Sequence, residues 1–383
     1  MNTLEAGGGR LEPGGWRLGA GGSGLRAACW VLAATILAGP AFAQGRITNA
    51  KTETRSAAQG LEPEVRAAAA RATAAWIGYR APMVAGPRHL CCADAESPNG
   101  SCCGACRLER GSGVTLTENA TPGLRVALEP PTEFLVFARL EAGHVVRVRT
   151  FTADCAIDAS GMPLTWMTDV KSADSVAWLT SLVTGAAEAP DRNDLVAKPA
   201  IGAIALHDDG AADRVLESFV TATRPEWLRR ETAFWLGTAR GDAGVRLLAR
   251  MIAEDSSEQV RGQAVFGLSV SAQSSALTTL IATARADRSP HVRSRALFWL
   301  AAKAGRQALD TIAAAIESDP DTGVKKQAVF ALSRLPKDEG ITRLVEVART
   351  NKNPEVRKQA MFWLGQSNDP RAVTFFEEIL TRK

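Results

Sequence analysis

The chain has 383 residues, of which 46% are hydrophobic and 22% charged, so it carries enough apolar side chain to bury a sizeable core. Its formal net charge is only +4 and no basic run stands out, which argues against a nucleic-acid partner or a membrane-surface role.

The first element in chain order is a targeting signal. Residues 27–43 are apolar, follow Arg26, and end on Ala41, Phe42 and Ala43 ahead of Gln44, the pattern of a secretory signal peptide cut after Ala43. The stretch is interrupted by Gly39 and Pro40 and is too short for a membrane span, which needs about 20 apolar residues. The expectation is an exported protein, periplasmic or extracellular, with no membrane span once residues 1–43 are removed. Residues 1–24 form an unusually long, Gly-rich n-region, as expected if the true start lies further downstream.

Export leaves six cysteines in an oxidising compartment: Cys91, Cys92, Cys102, Cys103, Cys106 and Cys155. Disulfides are their default reading. Cys103 and Cys106 have redox-pair spacing, but Cys102 precedes them and no βαβ pattern surrounds them. His89, near Cys91, is the one metal-ligand candidate among four histidines. Arg107 follows Cys106 where covalent haem attachment would require a histidine.

Residues 44–60 are polar and read as a linker. A Cys-rich α+β domain is expected over residues 61–190. Residues 62–80 are Ala-rich, with Val65, Ala69, Ala72 and Trp76 at helical spacing, which predicts one helix. Residues 91–106 are rich in Gly, Ser, Asn and Pro, predicting a loop with little regular structure. Phe134, Val136, Ala138 and Leu140 then alternate at period two, and Val145, Val146, Val148 and Thr150 form a second β-rich run, so residues 141–144 are the turn of a hairpin. Residues 154–161 read as a loop leading to a further short strand over 164–167.

From residue 191 onward the sequence repeats itself. Phe234, Phe266, Phe298, Phe330 and Phe362 recur every 32 residues, as do Val260, Val292, Val324 and Val356, and the leucines from Leu236 to Leu364. The same step places Val196, Ala200 and Ile204 in register, so a degenerate first unit starts near Leu195. A period of this size marks a stack of supersecondary units. Ser257, Ser289, Asp321 and Asn353 stand as helix N-caps, with Pro290 and Pro354 just inside the start. Gly241, Gly305 and the pair Asp369 and Pro370 mark the following turns. The predicted fold is a mostly α chain, an α-α solenoid of about six helix pairs over 191–383 behind a small disulfide-rich α+β domain.

These residues resemble the HEAT repeat family, including its short, lyase-like branch. The likeness rests on Asp255 with Val260 and Arg261, Asp287 with Val292 and Arg293, and Asp319 with Val324 and Lys325, each followed by Ala and Leu, over roughly residues 195–383. Asn351 replaces the Asp in the last unit. The resemblance implies that Asp255, Arg261, Asp287, Arg293, Asp319, Lys325 and Arg357 form a ladder between successive units, with the second helices lining the concave face. It names no catalytic residue. The HEAT-like di-iron hydroxylases are marked by His-Glu dipeptides, which are absent here, and the likeness to bilin lyases is one of architecture alone.

A helical wheel at about 100° per residue places Val260, Ala264 and Leu268 on the core side and Phe266 nearly opposite. The phenylalanines are therefore expected to form an aromatic stripe on the concave groove, among Gln263, Arg295, Gln327 and Gln359. Trp235, Trp299 and Trp363, alternating with Gly267 and Ala331, are expected in the core. No nucleophile, phosphate-cradling loop or paired carboxylates stand together, and no cofactor is implied. The leading reading is a non-enzymatic exported scaffold that binds a protein partner through the stripe. The alternative is an exported thiol or metal-dependent enzyme centred on Cys91–Cys106.

Overall fold

The structure is a computed structural model and describes residues 46–71, 73–86, 89–91, 106–109, 115–117, 130–153, 155–186 and 194–381. The expected signal peptide and most of the Cys-rich stretch lie outside these residues.

The first part is a mixed sheet. Its strands in chain order are β1 (Arg46–Thr48), β2 (Lys51–Ser56), β3 (Ala74–Pro82), β4 (His89–Cys91), β5 (Cys106–Arg107), β6 (Thr115–Thr117), β7 (Glu133–Glu141), β8 (His144–Thr152), β9 (Ala156–Asp158) and β10 (Pro163–Thr168). Two helices accompany them, α1 (Leu61–Arg71) and α2 (Ser172–Thr184). The central sheet runs β2-β10-β3-β7-β8, with β1-β9-β5 and β4-β6 as smaller companions. β10 is parallel to both β2 and β3, whereas β3, β7 and β8 are antiparallel neighbours.

The predicted hairpin is β7 and β8. Its two-residue turn has Ala142 at φ 48° and Gly143 at φ 84°, the paired left-handed conformation whose twist matches the flanking strands. Both faces of the sheet are covered. Tyr79, Phe134, Val136 and Ala138 point to the helices, and Trp76, Leu135, Phe137 and Trp166 point to the small parallel sheet, where they meet Cys106, Phe151, Cys155 and Ile157. Gly78 is required between them, because a Cβ there would lie 2.8 Å from the Phe137 ring and 3.1 Å from Trp166.

Three sequence expectations are corrected here. The helix expected over 62–80 ends at Arg71, and Trp76 lies in β3. In Ala74–Pro82 the side chains of Ile77 and Tyr79 pack on one face of a pleated sheet and Trp76 on the other, and that packing overrides the helical spacing of Trp76. The linker over 44–60 supplies β1 and β2, which pair with β9 and β10 more than a hundred residues later. The loop over 154–161 contains β9.

Of the expected bridging cysteines, Cys106 and Cys155 have described side chains, both buried in the second core and not bridged to each other. Cys155 Sγ lies 3.1 Å from Leu90 O and 3.3 Å from Thr152 Oγ1. Cys155 is disulfide-bonded, as expected, while the side chain of Cys91, and Cys92, Cys102 and Cys103 altogether, lie outside the described residues.

The solenoid consists of the pairs α3 (Ala197–Leu206) and α4 (Gly210–Phe219), α5 (Glu226–Ala239) and α6 (Gly241–Glu254), α7 (Glu258–Val270) and α8 (Ser274–Ala286), α9 (Pro290–Ala304) and α10 (Leu309–Ser318), α11 (Thr322–Ser333) and α12 (Lys337–Thr350), and α13 (Pro354–Gly365) and α14 (Pro370–Thr381). A single 3-10 turn, Gly305–Ala308, precedes α10. The N-caps are made as the sequence suggests, with Ser257, Ser289, Asp321 and Asn353 accepting from backbone N–H groups of the first turn.

Helices α3, α5, α7, α9, α11 and α13 pack closely on one another, while the alternate row touches its own neighbours sparsely. The closely packed row is therefore the inner, concave one. Units approach to backbone contact at Gly237, where a Cβ would lie 1.9 Å from Gly267 O.

Sheet and solenoid share one core. A single buried cluster runs from Ile77 and Phe134 through Ile201 and Ile204 to Phe375. The end of β3 is sewn to the end of α3, with Asp208 N donating to Pro82 O (3.1 Å) and Val84 N to Leu206 O (2.9 Å). Beneath this seam Tyr79, Ser175 and His207 form a fully buried chain. Tyr79 Oη is 2.7 Å from Ser175 Oγ, which is 2.9 Å from His207 Nε2, and His207 Nδ1 is 2.7 Å from Ala203 O. A carbonyl can only accept, so Nδ1 donates to it; with the ring neutral at pH 7 because burial lowers its pKa, Nε2 is left as the acceptor from Ser175 Oγ. Burial holds its pKa down at about 4.

Candidate functional site

Two features of the inner row repeat with the units. The first is the ladder. Arg229, Arg261 and Arg293 each send Nε and Nη2 forward to the carboxylate 26 residues on: Asp255 at 2.7 and 3.3 Å, Asp287 at 3.0 and 3.2 Å, and Asp319 at 2.7 and 2.8 Å. Nη1 of each reaches back to a carbonyl of its own inter-helix loop, including Arg261 to Asp255 O (3.1 Å) and Arg293 to Asp287 O (2.9 Å). Every one of these arginines therefore ties two loops together through two-pronged, charge-assisted hydrogen bonds. Asp319 illustrates the electrostatics: burial raises its pKa, but the hydrogen bond from Arg293 and the backbone N–H of Asp321 outweigh that and hold it below the usual range.

The rungs stop after the third. Lys325 Nζ donates back to Glu317 O (2.7 Å), at the end of the preceding helix α10, and Asn351 turns to Glu317 Oε1 (3.2 Å). Arg357 keeps only the backward contact, to Asn351 O (2.8 Å). Arg229, which heads the ladder, is absent from the sequence-based set. Its signal was the same step of 32 to Arg261, obscured because Thr223 stands in its own Asp position.

The second feature is aromatic. Phe234, Phe266, Phe298 and Phe330 are half-buried, and Phe362 is 53% exposed. Phe234 stacks on Phe266 (centroids 5.9 Å apart, planes at 15°) and Phe298 on Phe330 (6.1 Å, 10°). Trp299 bridges the two pairs, 5.1 Å from Phe266 and 4.8 Å from Phe298, and Trp363 joins Phe330 to Phe362 at 4.9 and 5.0 Å. The expectation that Trp235, Trp299 and Trp363 are core holds only in part: all three are half-buried and pack against the core, and their rings also join the ribbon. The helical wheel treats each helix alone, whereas the close inner row carries the phenylalanines and tryptophans of adjacent units into one continuous run of rings. Trp235 ends that run over Gly202, where a Cβ would lie 2.4 Å from the indole.

Charged groups flank the ribbon. Glu231 is held above the usual carboxylate range by burial, against the opposing pull of Lys198 and Arg230. Arg295 lies over Gly262, with its guanidinium 3.2 Å from where a Cβ would be. Among the described residues no group of three or more His, Cys, Asp or Glu is placed to hold a metal ion, and no helix is long and apolar enough to cross a membrane.

The architecture is an α-solenoid stacked on a mixed sheet. The family model for HEAT repeats matches residues 277–361 and 312–383, so the C-terminal part of the chain carries HEAT repeats. No curated protein matches the chain. Among solved structures it is similar to human deoxyhypusine hydroxylase in complex with glycerol (16% identity, 55% of this chain and 80% of that one, TM-score 0.28). It is similar also to the Escherichia coli protein YibA (17%, 55% and 76%, TM-score 0.33) and to the CpcE and CpcF complex of phycocyanin lyase from Nostoc sp. (21%, 54% and 80%, TM-score 0.28).

Proposed function

We propose that this protein is a binding scaffold that holds a protein partner along the concave face of its HEAT solenoid. The observation that carries this reading is the ribbon from Trp235 to Phe362, whose rings stay half-exposed along the inner helical row. A continuous, partly exposed aromatic surface rimmed by polar groups is what a partner-binding groove requires. The buried Arg and Asp rungs suit that role, because they fix the spacing between units and so the shape of the groove. Export to the periplasm or outside the cell belongs to the same proposal and rests on residues 27–43. Capture of partners from the envelope of the exporting cell, with wild type set against a Phe266→Ser, Phe298→Ser, Phe330→Ser triple variant of unchanged helicity, tests it. A partner held by wild type and lost from the variant supports the groove; a partner held equally by both moves the function to the sheet region.

A further inference from the structure

The side of the ribbon on which a partner must lie carries an unbalanced charge. Residues three and four positions before each phenylalanine share its helix face. Those positions hold Arg230, Gly262, Ser294, Lys326 and Lys358 in one column and Glu231, Gln263, Arg295, Gln327 and Gln359 in the other. The two columns together present four cations and one carboxylate, and Glu231 sits at the end nearest the sheet.

These cations are largely unspent within the molecule. Arg295, Lys326 and Lys358 have neither a hydrogen bond nor an ion pair among the described residues, while Arg230 has a 3.7 Å contact with Glu226 and lies close enough to Glu231 to act on its charge. Arg295 is half-buried, and it reaches into the gap that Gly262 leaves in the column between it and Arg230. Burial, together with the like charge of Arg230, holds its pKa below the usual guanidinium value. A cation desolvated beside a like charge gains more from an incoming anion than a free surface arginine does.

The rings decide which kind of anion this is. Phe234 and Phe266 turn one face toward each other, as do Phe298 and Phe330, and Trp299 crowds Phe266 and Phe298 further, so few ring faces stand fully open. Bases would need open ring faces to stack upon, whereas aliphatic side chains need only ring edges and the clefts between them.

Resting on the scaffold reading above, we propose that the groove takes an extended acidic and apolar segment of a partner protein, with a carboxylate seated on Arg295 and aliphatic side chains against Phe266, Trp299 and Phe298. The experiment is fluorescence anisotropy on the whole chain with three labelled probes: a peptide alternating leucine and glutamate, its leucine and lysine counterpart, and an oligo-deoxythymidine strand. The glutamate peptide is expected to bind and the lysine peptide not to. Arg295→Gln should weaken the glutamate peptide on the order of tenfold with unchanged circular dichroism, since no internal hydrogen bond or ion pair is lost. Arg295→Glu should weaken it further.

Equal binding of the two peptides, or indifference to Arg295→Gln, overturns the acidic segment. The scaffold reading survives that result if the triple Phe→Ser variant still loses both peptides. Preference for oligo-deoxythymidine replaces the peptide with a nucleic acid. Failure of wild type to bind any probe also overturns the acidic segment, while the envelope capture judges the scaffold independently.

Discussion

The sheet and the solenoid reach stability by opposite routes. In the sheet, neighbours come from far apart in the chain: β2 lies beside β10 and β3 beside β7, and the buried aromatics Trp76, Phe137 and Trp166 meet only when β3, β7 and β10 are in place. In the solenoid each unit leans on the next through the same contacts, one Arg and Asp rung and one set of rings at a time. A sheet of this kind forms as a whole, whereas a stack of repeats adds stability unit by unit. The seam at His207 joins the two, so damage on one side should be felt on the other to the extent that the shared core transmits it.

The largest test of that contrast is Phe137→Ala. The side chain is fully buried against Phe151 and Trp166, and its loss should cost about 3–5 kcal/mol. Urea unfolding followed by hydrogen exchange should then show β3, β7, β8 and β10 opening together, with α9 to α13 protected. Opening of the terminal helices alongside the sheet would erase the distinction.

Within the solenoid, Arg261→Ala leaves Asp287 buried without its partner, an expected loss of about 3 kcal/mol. Lys325→Ala removes no rung and should stay within about 0.5 kcal/mol by the same denaturant measurement. Similar costs at the two positions would mean that the ladder does not set the stability of the stack.

The seam gives a pH signature. His207 is neutral in the fold with its pKa held at about 4, against an ordinary value of 6.5. As pH falls from 6.5 toward 4 the unfolded chain takes a proton that the fold refuses, so stability should decline by roughly 3 kcal/mol over that window. The midpoint of urea unfolding for His207→Gln should lose that part of the slope. An unchanged slope would place the acid sensitivity elsewhere.

Smallest is Phe362→Ser at the exposed end of the ribbon. Its effect on stability should be within about 0.5 kcal/mol in thermal or urea unfolding, yet it should weaken partner capture. Unfolding of α13 by this change would assign the ring to packing.

The contrast also governs what could be read from the sequence. The repeat was legible because a step of 32 recurs without insertion, carrying the Phe, Val and Leu columns and the N-caps with it. The β7 and β8 hairpin was legible through local alternation and a short turn. β2, with the sequence KTETRS and an almost wholly exposed pattern, offers no period of its own. It is a strand only because β10 lies beside it, and that partner is 112 residues away at Glu53 and Thr165. The phenylalanine column could be placed on the groove from one helix alone. The part played by the tryptophans could not, since it depends on how closely the inner helices approach, and neither could the uncompensated state of Arg295, which depends on what surrounds it.

The most direct test of the groove as the binding surface is site-specific photo-cross-linking in the cell that makes the protein, with benzoylphenylalanine placed at Phe362 on the ribbon or at the exposed Thr278 on the outer helix α8. The account predicts an adduct with one partner protein from position 362 and none from 278. Adducts from 278 alone, or equal adducts from both, would contradict it.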